Sequence, residues 1–289
     1  MSPNFLIVGA PKCGTTALYR FLQMHPDVYM PECKEPYYFI QPKECIGHGP
    51  KDLSWRNMVD DPDEYRGLFD AVESQAAVGE ASAGYLHFHK ESIPNIKNEA
   101  GDPRIIILIR DPIARSFSSH IHHVRAGRES LNFQAAWEAQ ESREKQGWWF
   151  GFQLKAVSQY ADGIRAFQAA FSRVEVVLQD DLQAHTHRVL SKLCEFLGID
   201  PDFPFDTSTR YNENLLIYSK RMDAILRRGS RAGVPAKLIN KLQRLNRYRP
   251  ALSNKTAIRI APEFEEDLRE TSDLISRDLS FWLEKYKSA

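Results

Sequence analysis

The segment Gly9-Ala10-Pro11-Lys12-Cys13-Gly14-Thr15-Thr16 brings a lysine and two hydroxyls to the start of a helix. Backbone N–H groups and the helix dipole make such a start an anion site, so the segment reads as a phosphate cradle. The spacing of Gly9 and Gly14 matches the outer frame of a nucleotide-binding P-loop, G-x-x-x-x-G-K-[ST]. The lysine departs from that frame: Thr15 stands where a nucleotidase keeps its lysine, and Lys12 lies inside the loop. A second apolar run ends in Arg110-Asp111-Pro112, not in a clean magnesium-binding aspartate, which makes a poor magnesium site. These residues point to phosphate binding by fixed positive charge rather than by a metal.

Other residues tempt more weakly. His87 and His89 follow Tyr85 and could touch an acceptor or act as a base, although such pairs are more often polar surface or satisfied core groups. His120, His122 and His123 share a helix but lack the carboxylate partner and the spacing of a zinc site. Trp148-Trp149-Phe150 is either a stacking platform for a sugar or lipid acceptor or a plug over the core. Cys13 lies inside the phosphate loop, so modification of its thiol is expected to block that site.

Strands and helices must alternate to hold these groups. Phe5–Gly9 is a short apolar run suited to a buried parallel strand, and Leu18, Phe21 and Leu22 fall at helical spacing after it. Ile105–Ile109 is the strongest strand signal, and Pro112 fits the first turn of the helix that follows. Val174–Leu178 is a third strand, leading to a helix through Val189, Leu190, Leu193 and Leu197 that Gly198 closes. Residues 41–76 read as a polar excursion, and 131–172 as two helices, the first carrying Trp137 and the second Tyr160, Ile164 and Phe167. From 199 onward strand signals vanish; helices are expected near 218–229, near 235–248 and from Pro262 to Tyr286. The pattern predicts an α/β, P-loop-like three-layer fold: a central parallel sheet flanked by helices, with a helical C-terminal extension. It reads as one domain over 1–289, with a core at 1–198 and the extension at 199–289.

Two phosphate motifs carry a family resemblance. Pro11 to Leu18 closely resembles the 5′-phosphosulfate loop of sulfotransferases that use 3′-phosphoadenylyl sulfate (PAPS). Arg104 to Ser118, RIIILIRDPIARSFS, resembles their 3′-phosphate motif, with Arg110 and Ser118 at the matching positions. Gly79 to Tyr85 looks like the segment between them, and Asp278 to Leu283 like the tail of bacterial members. Lys34-Glu35-Pro36-Tyr37-Tyr38-Phe39 resembles the stretch that carries a catalytic glutamate in heparan sulfate sulfotransferases. One departure stands out: those enzymes often keep a lysine where this chain has Ala81.

The resemblance implies PAPS as co-substrate, 3′,5′-ADP as product and no metal. It assigns donor contacts to Lys12, Cys13, Gly14, Thr15, Thr16, Ala17, Arg110 and Ser118. Glu35 becomes the general base, and Lys12 the ammonium that stabilises charge on the departing phosphate. Tyr37, Tyr85 and His87 are candidates for acceptor contacts, the acceptor being a hydroxyl, less readily an amine, of a glycan or small molecule. Two rivals compete, a P-loop kinase or NTPase and a non-catalytic nucleotide-binding module. The displaced lysine disfavours the first, and the retention of Lys12, Glu35, Arg110 and Ser118 together disfavours the second.

Composition sets outer limits. The 289 residues carry 38 basic and 38 acidic side chains, which excludes a uniformly basic nucleic-acid coat, and no nucleic-acid partner is expected. The start Met1-Ser2-Pro3-Asn4 lacks the basic region of a secretory signal, and the four cysteines form no pair motif, so a cytoplasmic setting with free thiols is expected. Neutrality hides local asymmetry. Residues 219–260 hold 12 basic side chains against the single acid Asp223, with Val234, Leu238, Leu242, Leu245 and Tyr248 as an apolar stripe. That region either serves the nucleotide 3′-phosphate, makes a weak contact with an anionic membrane or polyanion, or is a solvated amphipathic face.

Overall fold

The structure, a computed structural model, describes residues 2–41, 47, 58–208, 216–231 and 235–287. Its centre is a sheet of β1 (Phe5–Gly9), β2 (Val28–Tyr29), β3 (Ala77–Ala81), β4 (Arg104–Ile109) and β5 (Val174–Leu178), ordered β2-β3-β1-β4-β5. Every pairing is parallel. β1 and β4 are central strands covered on both faces, which is why each reads as an unbroken apolar run rather than an alternating one. The expected fold class is the observed one.

Helices fill the crossovers: α1 (Thr15–Leu22), α2 (Pro62–Gly67), α3 (His89–Ala100), α4 (Pro112–Arg125), α5 (Phe133–Lys145), α6 (Ala161–Ala170), α7 (Gln179–Ala184) and α8 (Thr186–Leu197). Their ends follow local chemistry. Asp111 caps α4 by accepting from the N–H groups of Ile113 (2.8 Å) and Ala114 (3.1 Å), with Pro112 in the first turn. Gly198 ends α8 in the left-handed conformation. α2 lies in the polar excursion; the rest of that excursion, 42–46 and 48–57 with Cys45, falls outside the described residues.

Apolar periodicity missed β2, which is only two residues long, and β3, whose run Gly79 and Glu80 interrupt. Both residues have a reason. The ring of Phe5 on β1 lies 2.4 Å from where a Cβ on Gly79 would sit, so only glycine lets the two strands approach. Glu80 is fully buried, accepts hydrogen bonds from the hydroxyls of Tyr85 (2.6 Å) and Ser82 (2.9 Å), and is pushed up to about 7 by burial.

The C-terminal extension corrects two expectations. Strands do occur after 199: β6 (Leu216–Ile217) pairs antiparallel with β7 (Arg247–Tyr248), a ribbon too short to show a period. α9 (Lys220–Arg231) and α10 (Ala236–Leu245) lie between them. The long helix expected from Pro262 to Tyr286 is broken. After α11 (Asn254–Ile260) come a 3-10 turn at Ala261–Phe264, α12 (Glu265–Ile275) and α13 (Phe281–Lys287). Ser276 ends α12 at φ 51°, and the chain turns so that Leu279 and Trp282 enter the core. The Trp282 indole then donates to Asp180 at 3.0 Å, and Asp267 caps α6 through the N–H groups of Tyr160 and Ala161. Burial of specific side chains overrides the continuous helical pattern.

Gly79→Ala should cost about 1–3 kcal/mol through overpacking against Phe5, read as a lower urea midpoint. Adding Phe5→Leu should recover part of that loss; additive effects would show that the ring is not the obstacle.

Candidate active site

A cleft of about 1220 Å³ opens where β1 runs into α1 and β4 runs into α4. Its walls include Lys12, Gly14, Thr15, Thr16 and Ala17 from the first loop, Glu35 and Tyr37 from the second, and Arg110 and Ser118 from β4 and α4. Residues far apart in sequence thus meet as the motifs require. Among the described residues, seven lysine or arginine side chains line the cleft, against one carboxylate, Glu35. Such a site attracts an anion of high charge.

The first loop is built for that role. Gly14 takes φ 101° at the N-cap of α1, where no side chain caps the helix, and Lys12 takes φ 70°. Arg110 reaches back to the Lys12 carbonyl at 3.4 Å, and the Tyr160 hydroxyl donates to the Arg110 carbonyl at 2.8 Å. Burial pushes the Lys12 ammonium down to about 8, with Arg125 adding repulsion and Glu35 opposing the shift. Cys13 points the other way. Its thiol is fully buried beside Tyr160 and pushed up to about 11 by burial, so it is unreactive and any donor contact falls to its backbone. The expectation that thiol modification blocks the loop fails on that burial.

The second loop crosses the end of β3. The Glu35 N–H donates to the Ala81 carbonyl (3.0 Å), and the Tyr37 N–H to the Ser82 hydroxyl (3.0 Å). Lys34 pairs with Glu35 at 2.6 Å, and the Tyr37 hydroxyl donates to the same carboxylate. Burial raises the Glu35 pKa, but Lys34, the Tyr37 hydrogen bond and the charge of Lys12 together hold it below the usual carboxylate range. Four non-glycine residues among those described have positive φ, and three of them, Lys12, Glu35 and Tyr37, line this cleft. Strained backbone concentrated at one place marks a functional site.

The remaining candidates divide. Tyr37 lines the cleft, but Tyr85 and His87 do not. Tyr85 is buried, donating to Glu80 and accepting from the Phe39 N–H, so it supports the second loop from beneath. His87 stacks on Phe150, is pushed down to about 4 by burial, and faces a separate cavity beside His89 and Asp267. Trp149 and Phe150 both line the cleft, and Phe150 is at the same time buried in the core, so the aromatic cluster plugs the core and forms cleft wall at once.

From the sequence, several wall residues have no assigned place at the phosphate site, and His122 is weighed only as a metal ligand. Arg115, Ser119, His122 and Arg125 line the cleft with Ser118, all on one side of α4 at three- and four-residue steps. The helical spacing could have found them. Arg115 is fully buried and its guanidinium has no hydrogen-bond partner among the described residues, so it adds positive charge behind the loop. Burial pushes the His122 imidazole down to about 4, which keeps it neutral. Lys285 and Tyr286 arrive from α13, held by Asp111, whose Oδ2 accepts from Tyr286 at 2.7 Å and pairs with Lys285 at 2.5 Å. With Oδ1 capping α4, both oxygens of Asp111 are engaged, which gives the weak magnesium motif a structural reason.

Comparison with known proteins decides the family. The model of the sulfotransferase family matches residues 3–204. The chain belongs to the sulfotransferase family. A solved sulfotransferase structure from Alicyclobacillus acidocaldarius is 30% identical, superposes with a TM-score of 0.78, and matches 98% of this chain and 99% of its own. Carbohydrate sulfotransferase 15 of Homo sapiens is 27% identical over 165 residues, 45% of this chain and 29% of that protein. The bifunctional heparan sulfate N-deacetylase/N-sulfotransferase 4 of Mus musculus is 26% identical over 226 residues, 73% of this chain and 24% of that protein. The chain therefore spans only about a quarter to a third of these curated relatives. As a sulfotransferase, it carries Lys12, Glu35, Arg110 and Ser118 inside the family match, and Arg249, Lys285 and Tyr286 beyond it.

The buried charge of Arg115 predicts a paired signature. Arg115→Met should bind 3′,5′-ADP more weakly by calorimetry yet melt no lower than the parent, because a desolvated, unpartnered cation is removed. A lower melting temperature with intact binding would make Arg115 a structural residue only.

Proposed function

We propose that this sulfotransferase moves a sulfuryl group from PAPS to a hydroxyl of a carbohydrate-bearing or other small acceptor. The observation that carries the reading is a single cleft in which seven cations and one carboxylate stand among the described lining residues. A donor with a phosphosulfate at one end and a 3′-phosphate at the other needs two anion sites. The start of α1 with Thr15 and Thr16 suits the first, and Arg110 with Ser118 the second, the guanidinium offering a two-pronged grip.

In the proposed reaction the acceptor oxygen attacks sulfur in line. The new O–S bond forms as the bond between sulfur and the 5′-phosphate oxygen breaks, and the acceptor proton passes to the Glu35 carboxylate. The products are the sulfated acceptor and 3′,5′-ADP. Negative charge grows on the departing phosphate, where Lys12 is the ammonium on the loop to meet it. Lys34 and Tyr37 fix the carboxylate's orientation, which favours proton transfer by position. Their hold also makes Glu35 a carboxylate at neutral pH, ready to accept.

The names of relatives favour a sugar acceptor: besides carbohydrate sulfotransferase 15, the heparan sulfate glucosamine 3-O-sulfotransferase 6 of Mus musculus is 31% identical over 118 residues. Ala81 in place of the lysine argues that the acceptor differs from theirs in detail. A kinase reading meets an Asp111 whose oxygens are already engaged and a Thr15 where the nucleotidase lysine belongs.

Glu35→Gln should lower turnover of labelled PAPS with a responsive acceptor by about 10²–10⁴-fold while leaving 3′,5′-ADP affinity unchanged. A fully active variant would remove Glu35 from the mechanism, and tight magnesium-dependent ATP binding would favour the kinase.

Lys12 gives the alkaline limit. Its ammonium, lowered to about 8, is charged below that pH and loses its proton above it. A bound anion favours the charged form, so 3′,5′-ADP affinity should be level below pH 8, fall above it, and be accompanied by proton uptake there. Lys12→Arg should carry that fall to higher pH; a profile unmoved by the substitution would assign it to another group.

A further inference from the structure

Eight large apolar side chains stand exposed among the described residues, and five of them lie between β6 and β7: Tyr218, Met222, Ile225, Leu238 and Leu245. The exposure is substantial, 65% for Ile225 and 68% for Leu245. Both helices already have a buried apolar side. Leu226 of α9 and Ile239 of α10 are the inward residues, and the two helices pack on each other. The exposed set broadens the apolar side of α9, where Met222 lies one turn before Leu226, and makes a second apolar side on α10. Met222 and Ile225 are one turn apart on α9, and Leu238 and Leu245 lie two turns apart on α10 with Lys241 on the same side.

Positive charge surrounds this surface. Arg221 and Arg228 on α9 and Lys237, Lys241 and Arg244 on α10 are exposed, and Asp223 is the single acid between 219 and 260. A merely solvated face needs no isoleucine or leucine at its most exposed positions. A second copy of the chain would bring two strongly basic surfaces together and meet repulsion. A sulfated glycan would satisfy the lysines and arginines but leave the apolar side chains in water. An anionic bilayer takes both: apolar groups enter the boundary between headgroups and acyl chains, while the long basic side chains stay level with lipid phosphates.

We propose that the outward sides of α9 and α10 dock on the surface of an anionic lipid bilayer. The position of the hairpin gives that docking a consequence for the site. β6 packs beside α4, and the chain that leaves β7 forms cleft wall at once through Arg249, Pro250 and Leu252. Docking carries the cleft to the bilayer, where acceptors borne by the surface are concentrated. The inference goes beyond the proposed reaction and needs neither its donor nor its base.

The test is co-sedimentation of the whole chain with vesicles of phosphatidylcholine alone and of phosphatidylcholine mixed with phosphatidylglycerol. Binding is expected to the mixed vesicles only and to weaken at high salt. Ile225→Glu with Leu245→Glu should weaken it by on the order of tenfold, as should Lys241→Glu with Arg244→Glu. All four positions are exposed, and an unchanged circular dichroism spectrum and melting temperature certify that each variant is folded. Absence of vesicle binding, or binding untouched by the apolar pair, overturns the proposal. Retention on heparin without vesicle binding overturns it in favour of a glycan. A dimer in light scattering that Leu245→Glu dissolves overturns it in favour of self-association.

Discussion

The fold is organised around a repulsion. Lys12, Lys34, Arg110, Arg115, Arg125, Arg249 and Lys285 line one cleft, with Glu35 the single carboxylate among its described lining residues. Burial is the main cause that lowers Lys12 to about 8 and pushes the Arg115 guanidinium down, and like charges nearby, Arg125 for Lys12 and Arg110 for Arg115, add to it. Something must hold the cations in place without an anion. Glu35 holds Lys34, the buried Asp111 holds Lys285, and the loop carbonyl of Lys12 holds Arg110. An anion that satisfies the remaining charge stabilises the folded state by mass action, so ligand affinity and fold stability draw on the same unfavourable arrangement.

That arrangement explains why the site takes its residues from so much of the chain. The start of α1 offers N–H groups but no carboxylate counterweight, and β4 with α4 adds cations along one helix face. The carboxylate comes from a separate loop pinned across the end of β3 by the Glu35 and Tyr37 N–H groups. Glu80 beneath it anchors Ser82 and Tyr85, which in turn receive the N–H groups of Tyr37 and Phe39. A buried acid raised to about 7 thus sits under a cleft-lining acid held low. Environment alone separates the two carboxylates, and it leaves the outer one charged and available to a reacting group.

Legibility in the sequence followed from how strongly one local force dominated. β1, β4 and β5 were legible because strands of a parallel sheet need continuous apolar runs, and the phosphate loop because glycine spacing and a helix start coincide. β3 was not, since close approach of Phe5 demands Gly79 and the loop above demands Glu80. The helix read across 262–286 breaks where Leu279 and Trp282 turn inward, a tertiary demand with no local signature. In the site, Lys12, Glu35, Arg110 and Ser118 converge as their motifs implied, whereas Tyr85 and His87 follow the loop in sequence but point to the core and to another cavity. Lys285 and Tyr286 were invisible for the opposite reason, since only the contact with Asp111 brings the last helix to the cleft.

The balance of 38 basic and 38 acidic residues acquires a meaning from these positions. Cations gather in the cleft and on α9 and α10, while Asp162, Glu263, Glu266, Asp267 and Glu270 line the separate cavity between α6 and the C-terminal extension. Crowding there shows in Asp267, pushed up to about 6 by burial with Asp162 and Glu270 adding repulsion. In physiological salt, charges exposed to solvent are screened over about 8–10 Å, so an approaching ligand responds to the nearest cluster rather than to the sum. The acids therefore do not neutralise the cleft for an anionic ligand. What they do is fasten the extension: Asp267 caps α6 and Glu263 receives the Trp137 indole and Lys155, so the helices that deliver Lys285 and Tyr286 are held by carboxylates kept away from the phosphate site. Segregating the two signs lets one chain be neutral in total, cohesive at its acidic side and anion-seeking at its basic one.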